Sequence, residues 1–300
     1  MKALAIINPA AGGGRPLKIW PTVRQRFLAA GWTITDATAE RRGHETELAA
    51  GAARDGYDVV LAIGGDGTAH WAANGLMRHG SGGPTLAVVP AGTGGDFAAA
   101  MGLPKDPHAA VAALLKGKVR RIDVGLVNGR YFLTIGTVGF GGEVARQVNE
   151  WPKRLPGPVM YIAAILKMLV TYSPVEVEVV LDGQARRQRL FMVGVGNTHR
   201  AAGGMRLCPG ATPDDQIFEV VLIGNVTKLE VLRLLPKTFP GRHIFHSKVE
   251  VHRAATIAVN SSTPLAVQAD GELIGTVPAT FTVLPQALEV LAPAVSPATQ

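Results

Sequence analysis

A run of apolar residues, most of them β-branched, ends abruptly in three glycines and an acid. The run VVLAI occupies residues 59–63, and GGDGT follows at residues 64–68. This pattern predicts a buried strand that leads into a tight loop, and open α/β sheets bind ligands at such carboxyl ends of strands. An ordinary junction between a strand and a helix is the alternative, since glycine is common there. Because the acid lies among three glycines, we favour a ligand-binding loop.

A second loop of the same kind follows one strand later. The strand pattern TLAVV at residues 85–89 leads into PAGTGGDFA at residues 90–98. Consecutive parallel strands place both loops at one crevice, where glycines let the backbone approach a phosphate closely. Thr68 is placed to begin a helix, whose first turn favours anions. Since Asp66 is itself an anion, its presence beside a phosphate predicts an intervening Mg²⁺ ion.

The order of the patterns predicts two domains. Over residues 1–125, strands at 4–8, 33–37, 58–63 and 85–89 alternate with helical stretches, which is typical of an α/β domain with a mostly parallel sheet. Beyond residue 125, long alternating runs predict an antiparallel, sandwich-like domain over residues 126–285. Its strands are predicted at 175–181, 189–196, 217–223, 249–259, 265–269 and 281–284, and its helices at 142–151, 159–171 and 229–239.

The cysteine count and the apolar segments of the sequence indicate the cellular compartment of the protein. The one cysteine, Cys208, excludes an intrachain disulfide and suits a reducing cytoplasm. The apolar start of the chain reaches Asn8-Pro9 too early for a signal-peptide core. The apolar stretch at residues 159–170 includes Lys167 and is shorter than the roughly 20 residues of a membrane span. We therefore expect a cytoplasmic protein without a transmembrane segment.

The charge balance favours acidic partners. The net charge is +7, and residues 228–253 hold six Lys or Arg against two Glu. Nucleic acid is disfavoured because zinc-finger spacing and an aromatic platform are missing from the sequence. For the basic stretch we favour a solvated face over a membrane contact. His243 and His246 lack a clear fourth ligand for zinc, so exposed histidines are expected there.

The chain resembles the diacylglycerol kinase catalytic-domain family, which includes bacterial lipid kinases and the sphingosine and ceramide kinases. Six blocks in the family's order, covering nearly the whole chain, carry the resemblance. They are NPAAGGG at 8–14, GGDGT at 64–68, PAGTGGDFA at 90–98, VGFGG at 138–142, LCP at 207–209 with DD at 214–215, and DGE at 270–272. The VGFGG block also predicts a flexible turn.

The resemblance implies an ATP-dependent kinase that phosphorylates diacylglycerol or a related lipid, with ATP and Mg²⁺ as cofactors. The positions it assigns to ATP binding are Thr38, Gly64, Gly65, Asp66, Gly67, Thr68, Gly92 and Thr93. Asp66 and Asp96 would act near the phosphates, either through Mg²⁺ or by fixing the geometry of the loops. Residues 1–125 would form the nucleotide-binding domain, with about 286–300 returning to it, and residues 126–285 the lipid-substrate domain.

Further acids take roles from the same resemblance. Glu272 matches the general base that removes the proton of the lipid hydroxyl, although on the residues alone Asp270-Gly271 favours a simple hairpin turn. Asp123 matches an acid of the active-site network, and a turn acid at a strand start is its alternative. A structural Mg²⁺ would use the Asp215 side chain with main-chain oxygens of Thr212 and Ile217, and a plain turn acid is again the alternative.

Two departures from the family keep other functions open. Gly95 stands where the family usually has Asn, and His70-Trp71 stand where it usually has Asn-Glu. The alternatives are a nucleotide- or lipid-binding homologue with impaired catalysis, and an NAD kinase. The expected partner is a lipid at the membrane surface, met through transient peripheral contact with the inner face, and a homodimer stays open. The apolar residues 160–166 favour a packed core helix over an acyl-chain site.

Overall fold

The computed structural model describes residues 1–80, 82–151 and 157–294, and the chain divides into two compact units. Unit 1 comprises Met1–Ile122 with Gln286–Gln300, and unit 2 comprises Asp123–Pro285. The last part of the expected returning segment, residues 295–300, lies outside the described residues.

Unit 1 is built on parallel strands joined by helices. Its strands are β1 (Lys2–Ile7), β2 (Thr33–Thr38), β3 (Val59–Gly64) and β4 (Thr85–Pro90). Its helices are α1 (Arg15–Ala29), α2 (His44–Arg54), α3 (Asp66–Leu76), α4 (Asp96–Ala100) and α5 (Pro107–Leu115). The strands pair in the order β2-β1-β3-β4, and every residue of β3 and β4 is buried. Near-continuous apolar strands of this kind are typical of parallel sheets.

Two strands have residues in both units, namely β5 (Lys118–Val127) and β16 (Ala279–Ala292). Within unit 1, Val290 near the end of β16 lies opposite Leu86 of β4, in parallel orientation. Within unit 2, the first part of β16 pairs antiparallel with β13 (Thr256–Asn260).

Unit 2 is mostly antiparallel. Its remaining strands are β6 (Arg130–Phe132), β7 (Ile135–Gly139), β8 (Val175–Leu181), β9 (Gln184–Leu190), β10 (Met192–Gly196), β11 (Phe218–Ile223), β12 (Val249–Ala254), β14 (Ala266–Ala269) and β15 (Glu272–Thr276). Its helices are α6 (Phe140–Glu150), α7 (Gly157–Thr171) and α8 (Lys228–Thr238). One sheet includes β13, β8 and β9, and a second has the order β12-β11-β10-β7-β14-β15.

Apolar side chains on both sides of the six-stranded sheet hold unit 2 together. Between the sheets, the ring centroids of Phe132 and Phe218 are 5.6 Å apart, and those of Phe132 and Phe281 are 6.0 Å apart. On the other side, side chains of α6, α7 and α8 form a second buried cluster with β10 and β11. The predicted fold class, a mostly parallel α/β part followed by an antiparallel sandwich-like part, is confirmed.

Two predicted strands were wrong, because each is a pair of strands in different sheets. Residues 189–196 divide at Phe191 into β9 and β10, and residues 249–259 divide at Ala255 into β12 and β13. At the second break, the Asp182 carboxylate accepts the backbone N–H groups of Ala255 and Thr256 at 3.1 and 2.8 Å. The chain has no Gly or Pro at Phe191 or at Ala255, so no turn signal in the sequence revealed these breaks.

The expectations for VGFGG and for His243 also need correction. Gly139 ends β7 and Phe140 begins α6, and a Cβ atom on Gly142 would lie 2.2 Å from the Ala266 carbonyl oxygen. The block is therefore a tightly packed strand–helix junction. His243 is buried in a 3-10 turn (Arg242–Phe245), where its Nε2 lies 3.0 Å from the Leu207 carbonyl oxygen. Burial lowers the pKa of His243.

No helix within the described part of the chain is both long enough and apolar enough to span a membrane.

Candidate active site

Three glycine-rich loops lie at the carboxyl edge of the parallel sheet of unit 1. They are residues 8–14 after β1, residues 64–68 at the end of β3, and residues 90–98 at the end of β4. Since β1, β3 and β4 are neighbours in the sheet, the three loops are neighbours too. The structure thus brings the two predicted loops together and adds the first one beside them.

The loops approach one another so closely that side chains are excluded. A Cβ atom on Gly92 would lie 2.5 Å from the Gly65 Cα, and one on Gly12 would lie 2.4 Å from the Ala91 carbonyl oxygen. The Gly64 carbonyl accepts the N–H groups of Ala91 and Gly92 at 2.7 and 3.0 Å. Only glycine permits these approaches, and the result is a cradle lined by backbone.

Asp66 fixes the position of the loop at residues 90–98. Its Oδ2 accepts the Gly95 N–H at 2.8 Å, and its Oδ1 accepts the Phe97 N–H at 2.9 Å. Of the two roles expected for this residue, the one seen here is fixing the geometry of the loops. Asp96 is buried and begins α4, so both acids lie at this edge of the sheet.

Asn8 ties the first loop to its neighbours, a role that the sequence did not predict. Its side-chain amide donates to Glu45 Oε1 at 2.9 Å and to Thr68 Oγ1 at 3.0 Å. Its carbonyl oxygen accepts the Ala10 N–H at 3.0 Å. The signal was present in the sequence, since Asn8 directly follows an apolar strand, but its partner Glu45 lies in α2 and is brought near only by the fold.

The other predicted nucleotide positions lie at the same edge. Thr38 is the last residue of β2, is exposed and pairs with Ile7 of β1. Gly67 and Thr68 belong to the first turn of α3, whose N–H groups favour anions. Thr93 lies in the loop that Asp66 fixes.

The two departures from the family pattern have local explanations. Gly95 has a φ of +83°, a left-handed conformation that Gly and Asn adopt more readily than other residues. His70 is fully buried, and its ring meets that of Trp71 edge to face with the centroids 4.9 Å apart. Trp71 in turn lies beside Gly43, whose Cβ atom would be 3.8 Å from the indole ring. Both aromatic side chains therefore serve packing.

In unit 2, the turn at residues 270–272 is held by Asp270. Its φ is +51° and that of Gly271 is +82°, as a two-residue hairpin between β14 and β15 requires. The Asp270 carboxylate accepts the N–H groups of Leu133 and Thr134, both at 2.8 Å, and the Thr134 hydroxyl at 2.5 Å. Glu272 follows as the half-buried first residue of β15. The turn that carries Glu272 is therefore rigidly supported.

An apolar cavity of about 140 Å³ lies in unit 2. Its lining comes from β7, β10, β11, β14, α6, α7 and α8 and from the segment 201–207, and it includes Phe140, Ile165, Met192 and Leu234. Gln268 adds a polar group, whose Nε2 donates to Thr137 Oγ1 at 2.9 Å and whose Oε1 accepts the Gly271 N–H at 2.8 Å. One side chain thus connects the cavity wall to the turn before Glu272.

Tyr161 and Ile165 of α7 line this cavity, whereas residues 160–166 were expected to favour a packed core helix. Ala164 is fully buried in the core, so α7 packs into the core and also lines the cavity. The Tyr161 hydroxyl also lies close to the turn, since a Cβ atom on Gly271 would be 2.9 Å away from it.

Asp123 supports the loop at residues 212–217. Its Oδ2 accepts the Gln216 N–H at 2.6 Å, and its own N–H donates to the Pro213 carbonyl at 2.6 Å. Its carbonyl accepts the Asn197 side-chain amide at 2.9 Å. These contacts, made by an almost fully buried residue, hold the segment that contains the predicted metal ligands.

The Asp215 carboxylate, which the resemblance assigns to a structural Mg²⁺, has a basic partner in the structure. The Asp215 carboxylate is ion-paired with the Arg253 guanidinium, which already balances its charge. Its Oδ1 lies 3.4 Å from the Ile217 nitrogen. Within the described residues, no three His, Cys, Asp or Glu side chains form a group that could hold a metal ion. The Mg²⁺ at Asp215, Thr212 and Ile217 stays a prediction.

Comparison with known proteins agrees with these features. Residues 2–127 match the model of the diacylglycerol kinase catalytic domain, and residues 135–292 match the YegS C-terminal NAD kinase beta sandwich-like domain. A diacylglycerol kinase of Staphylococcus saprophyticus is 30% identical over 97% of this chain and 95% of its own length. One from Staphylococcus haemolyticus is 31% identical over 97% of this chain and 88% of its own.

The fold has a close counterpart among solved structures. A crystal structure of a diacylglycerol kinase from Bacillus anthracis superposes with a TM-score of 0.80 at 24% sequence identity, covering 99% of this chain and 98% of that one. The sequence matches extend across both units and include the glycine-rich loops. The chain therefore belongs to the diacylglycerol kinase family, whose members are kinases with an alcohol acceptor.

Proposed function

We propose that the protein transfers the γ-phosphoryl group of ATP to a hydroxyl of diacylglycerol or a related lipid. The observation that carries the proposal of a lipid acceptor is the link through Gln268, which joins an apolar cavity to the turn that presents Glu272. A cavity of about 140 Å³ is of the size that holds a small apolar molecule. An acceptor with an apolar body and a hydroxyl group suits this combination.

The nucleotide would be held by the three loops of unit 1. Phosphoryl transfer depends mainly on positioning and on stabilising the charge of the phosphate oxygens. The backbone cradle around Gly12, Gly65 and Gly92 fits a phosphate, because side chains are excluded where the backbone must approach. Asp66 keeps the cradle in shape through its two hydrogen bonds. When bound, ATP supplies the phosphoryl group and Mg²⁺ neutralises part of its charge.

Glu272 would accept the proton of the lipid hydroxyl. A carboxylate can serve as the base, whereas the amide of a glutamine cannot take up this proton. Asp270 and Gln268 act on the turn and so position Glu272.

Labelled ATP with Mg²⁺, added separately to diacylglycerol, sphingosine and NAD, tests the proposal. Label in the organic phase is the expected result. Label on NAD would instead indicate an NAD kinase, and nucleotide binding without transfer would indicate a protein that has lost catalysis. Either of these two results would overturn the proposal.

A single substitution tests the role of Glu272. Glu272→Gln should bind ATP with unchanged affinity and lose at least about a hundredfold in turnover, as expected for a missing general base. Glu178→Gln, an exposed position on β8, is the matched control and should keep normal turnover. Normal turnover in Glu272→Gln would remove the assignment.

A further inference from the structure

Few polar side chains line the apolar cavity of unit 2. Among the described residues of its lining, Thr137, Tyr161, Thr238 and Gln268 carry a hydroxyl or an amide. The Thr238 hydroxyl is used within α8, since it donates to the Leu235 carbonyl at 2.6 Å. Thr137 and Gln268 lie directly opposite each other on the neighbouring strands β7 and β14, and they are 3% and 7% exposed. A ligand in the cavity therefore meets this pair with little competition from water.

The direction of the hydrogen bonds between these two side chains is fixed by a neighbour. The Gly271 N–H can donate but not accept, so Gln268 turns its Oε1 toward this group, at 2.8 Å. The Nε2 group then faces Thr137 and donates to its Oγ1 at 2.9 Å. Because Thr137 Oγ1 accepts this bond, the proton of the same hydroxyl points in another direction.

Two hydrogen-bond donors of the pair are therefore left over. An amide nitrogen carries two hydrogen atoms, and Gln268 uses one of them on Thr137. In the part of the chain that the structure describes, no group accepts the second amide hydrogen or the Thr137 hydroxyl proton. Buried donors normally have an acceptor, because leaving one without a partner costs free energy. The pair thus suits a ligand that supplies an oxygen acceptor.

The first turn of α6 lies at the same end of the cavity. Phe140 and Gly141 belong to the lining, and a Cβ atom on Gly141 would lie 2.4 Å from Thr137 Oγ1. The N-cap residue of α6 is Gly139, which provides no side-chain cap. Backbone N–H groups in the first turn of a helix favour an acceptor with negative partial charge. The helix end and the side-chain pair therefore favour the same kind of ligand group.

We infer that Thr137 and Gln268 bind an ester carbonyl oxygen of the lipid acceptor inside the cavity. The inference rests on the lipid-kinase function proposed above and adds the chemical class of the acceptor. A carbonyl oxygen can accept two hydrogen bonds and donates none, which matches the two unused donors. Lipids with ether-linked chains and sphingoid bases lack this oxygen, so they leave both donors buried without an acceptor.

The position of the pair suits the reaction. Gly271, which donates to Gln268, directly precedes Glu272. In diacylglycerol, the free hydroxyl and the nearest ester group are attached to adjacent carbon atoms of the glycerol. A carbonyl bound by Gln268 therefore keeps the hydroxyl close to the turn that carries the proposed base.

Two lipids that differ in the carbonyl groups test the inference. Dioctanoylglycerol and dioctylglycerol share the glycerol hydroxyl and the chain length, and each is offered in the same detergent micelles with labelled ATP and Mg²⁺. The wild-type kcat/KM should be at least about tenfold higher for the ester, because two hydrogen bonds are lost with the ether. Equal values would overturn the inference and leave the kinase function intact, whereas transfer to neither lipid would overturn both.

Variants of the pair test whether it carries the preference for the ester. Thr137→Val removes the hydroxyl and should reduce the ratio of the two kcat/KM values about threefold, as expected for one hydrogen bond. Thr137→Val combined with Gln268→Met should bring the ratio close to one. Thr137→Ser, the matched control, keeps the hydroxyl and should keep the ratio.

The ratio also separates recognition from a structural effect. Partial unfolding or a displaced turn lowers the kcat/KM of both lipids alike, whereas loss of the two donors lowers the value for the ester. A wild-type ratio in Thr137→Val and in the double variant would overturn the inference. Loss of the preference in Thr137→Ser to the same extent as in Thr137→Val would also overturn it, because the hydroxyl is present there.

Discussion

Gly65 and Gly92 contact each other backbone to backbone, so that a Cβ atom on Gly92 would lie 2.5 Å from the Gly65 Cα and 2.9 Å from its nitrogen. The loops after β3 and β4 thereby form one surface, in which neither can shift without moving the other. A cradle built from backbone in this way keeps its shape before any ligand arrives, which favours charge stabilisation by preorganised groups.

Substitution of Gly92 by alanine should open this contact. The added methyl group meets backbone atoms that have no alternative rotamer, so the loops must separate. We expect a loss of about 1–3 kcal/mol in the free energy of unfolding, typical of overpacking, and a clear loss of ATP affinity. Urea denaturation and calorimetric titration measure the two effects. Gly83→Ala, where nothing lies within 4 Å of the added atom, should change neither, and wild-type ATP affinity in Gly92→Ala would contradict the cradle.

Asp66→Asn should loosen the loop at residues 90–98. The carboxylate of Asp66 accepts the N–H groups of Gly95 and Phe97 with its two oxygens. The Asn side chain has one oxygen and one NH₂ group, so one of these two N–H donors loses its acceptor. The expected cost is about 1–3 kcal/mol of stability, accompanied by weaker nucleotide binding. The matched control is Asp106→Asn, where the carboxylate caps α5 by accepting the Ala109 N–H at 2.8 Å. Asn serves almost as well as Asp at such a cap, so stability should hardly change there.

Asp270→Asn tests the support of the turn. The carboxylate accepts three donors from Leu133 and Thr134, and hydrogen bonds to a charged acceptor contribute about 1.5–3 kcal/mol each. We expect a lower unfolding free energy and a reduced kcat, with the Kd for ATP unchanged, because the change lies in the part that positions Glu272. Asp36→Asn, at an exposed ion pair with Arg24, is the control. A change in ATP affinity alone would show that the turn has another role.

The start of α8 should weaken in acid. Hydrogen bonds from Lys248 and then from Thr227 lower the pKa of Glu230 from 4.5 to about 2. A lowered pKa in the folded protein means that the stabilisation is complete above pH 4.5 and is lost as the pH falls toward 2. The difference in unfolding free energy between wild type and Glu230→Gln, measured by urea denaturation, should therefore be constant near neutral pH and shrink below pH 4.5. A difference independent of pH would contradict this account.

Local sequence signals predicted the elements of unit 1 well. GGDGT and PAGTGGDFA each follow a strand that is almost entirely apolar, and the strand, loop and helix are all encoded within a few residues. Because β3 and β4 are neighbours in the sheet, the loops that follow them lie side by side. The sequence also identified Asp66 as a site residue. It did not distinguish between action through Mg²⁺ and fixing the geometry of the loops.

Contacts between distant residues were beyond the sequence. Asn8, Asp270 and Asp215 each have a partner 37 or more residues away, which the folded chain alone brings near. These partners are Glu45, Leu133 and Arg253. The same is true of the breaks at Phe191 and Ala255, where the chain changes sheets without a Gly or Pro to mark the break. The cavity could not be predicted because its lining comes from many helices and strands between residues 137 and 268.

The side-chain amide of Gln268 makes two hydrogen bonds. It donates to Thr137 in the cavity wall and accepts the Gly271 N–H. A planar amide turns as one body. A molecule that enters the cavity and rotates the Gln268 amide must also alter its hydrogen bond with the Gly271 N–H. Gly271 directly precedes Glu272. For the proposed lipid acceptor, binding of the apolar tail and alignment of the reacting hydroxyl would thus be coupled through one rotatable side chain.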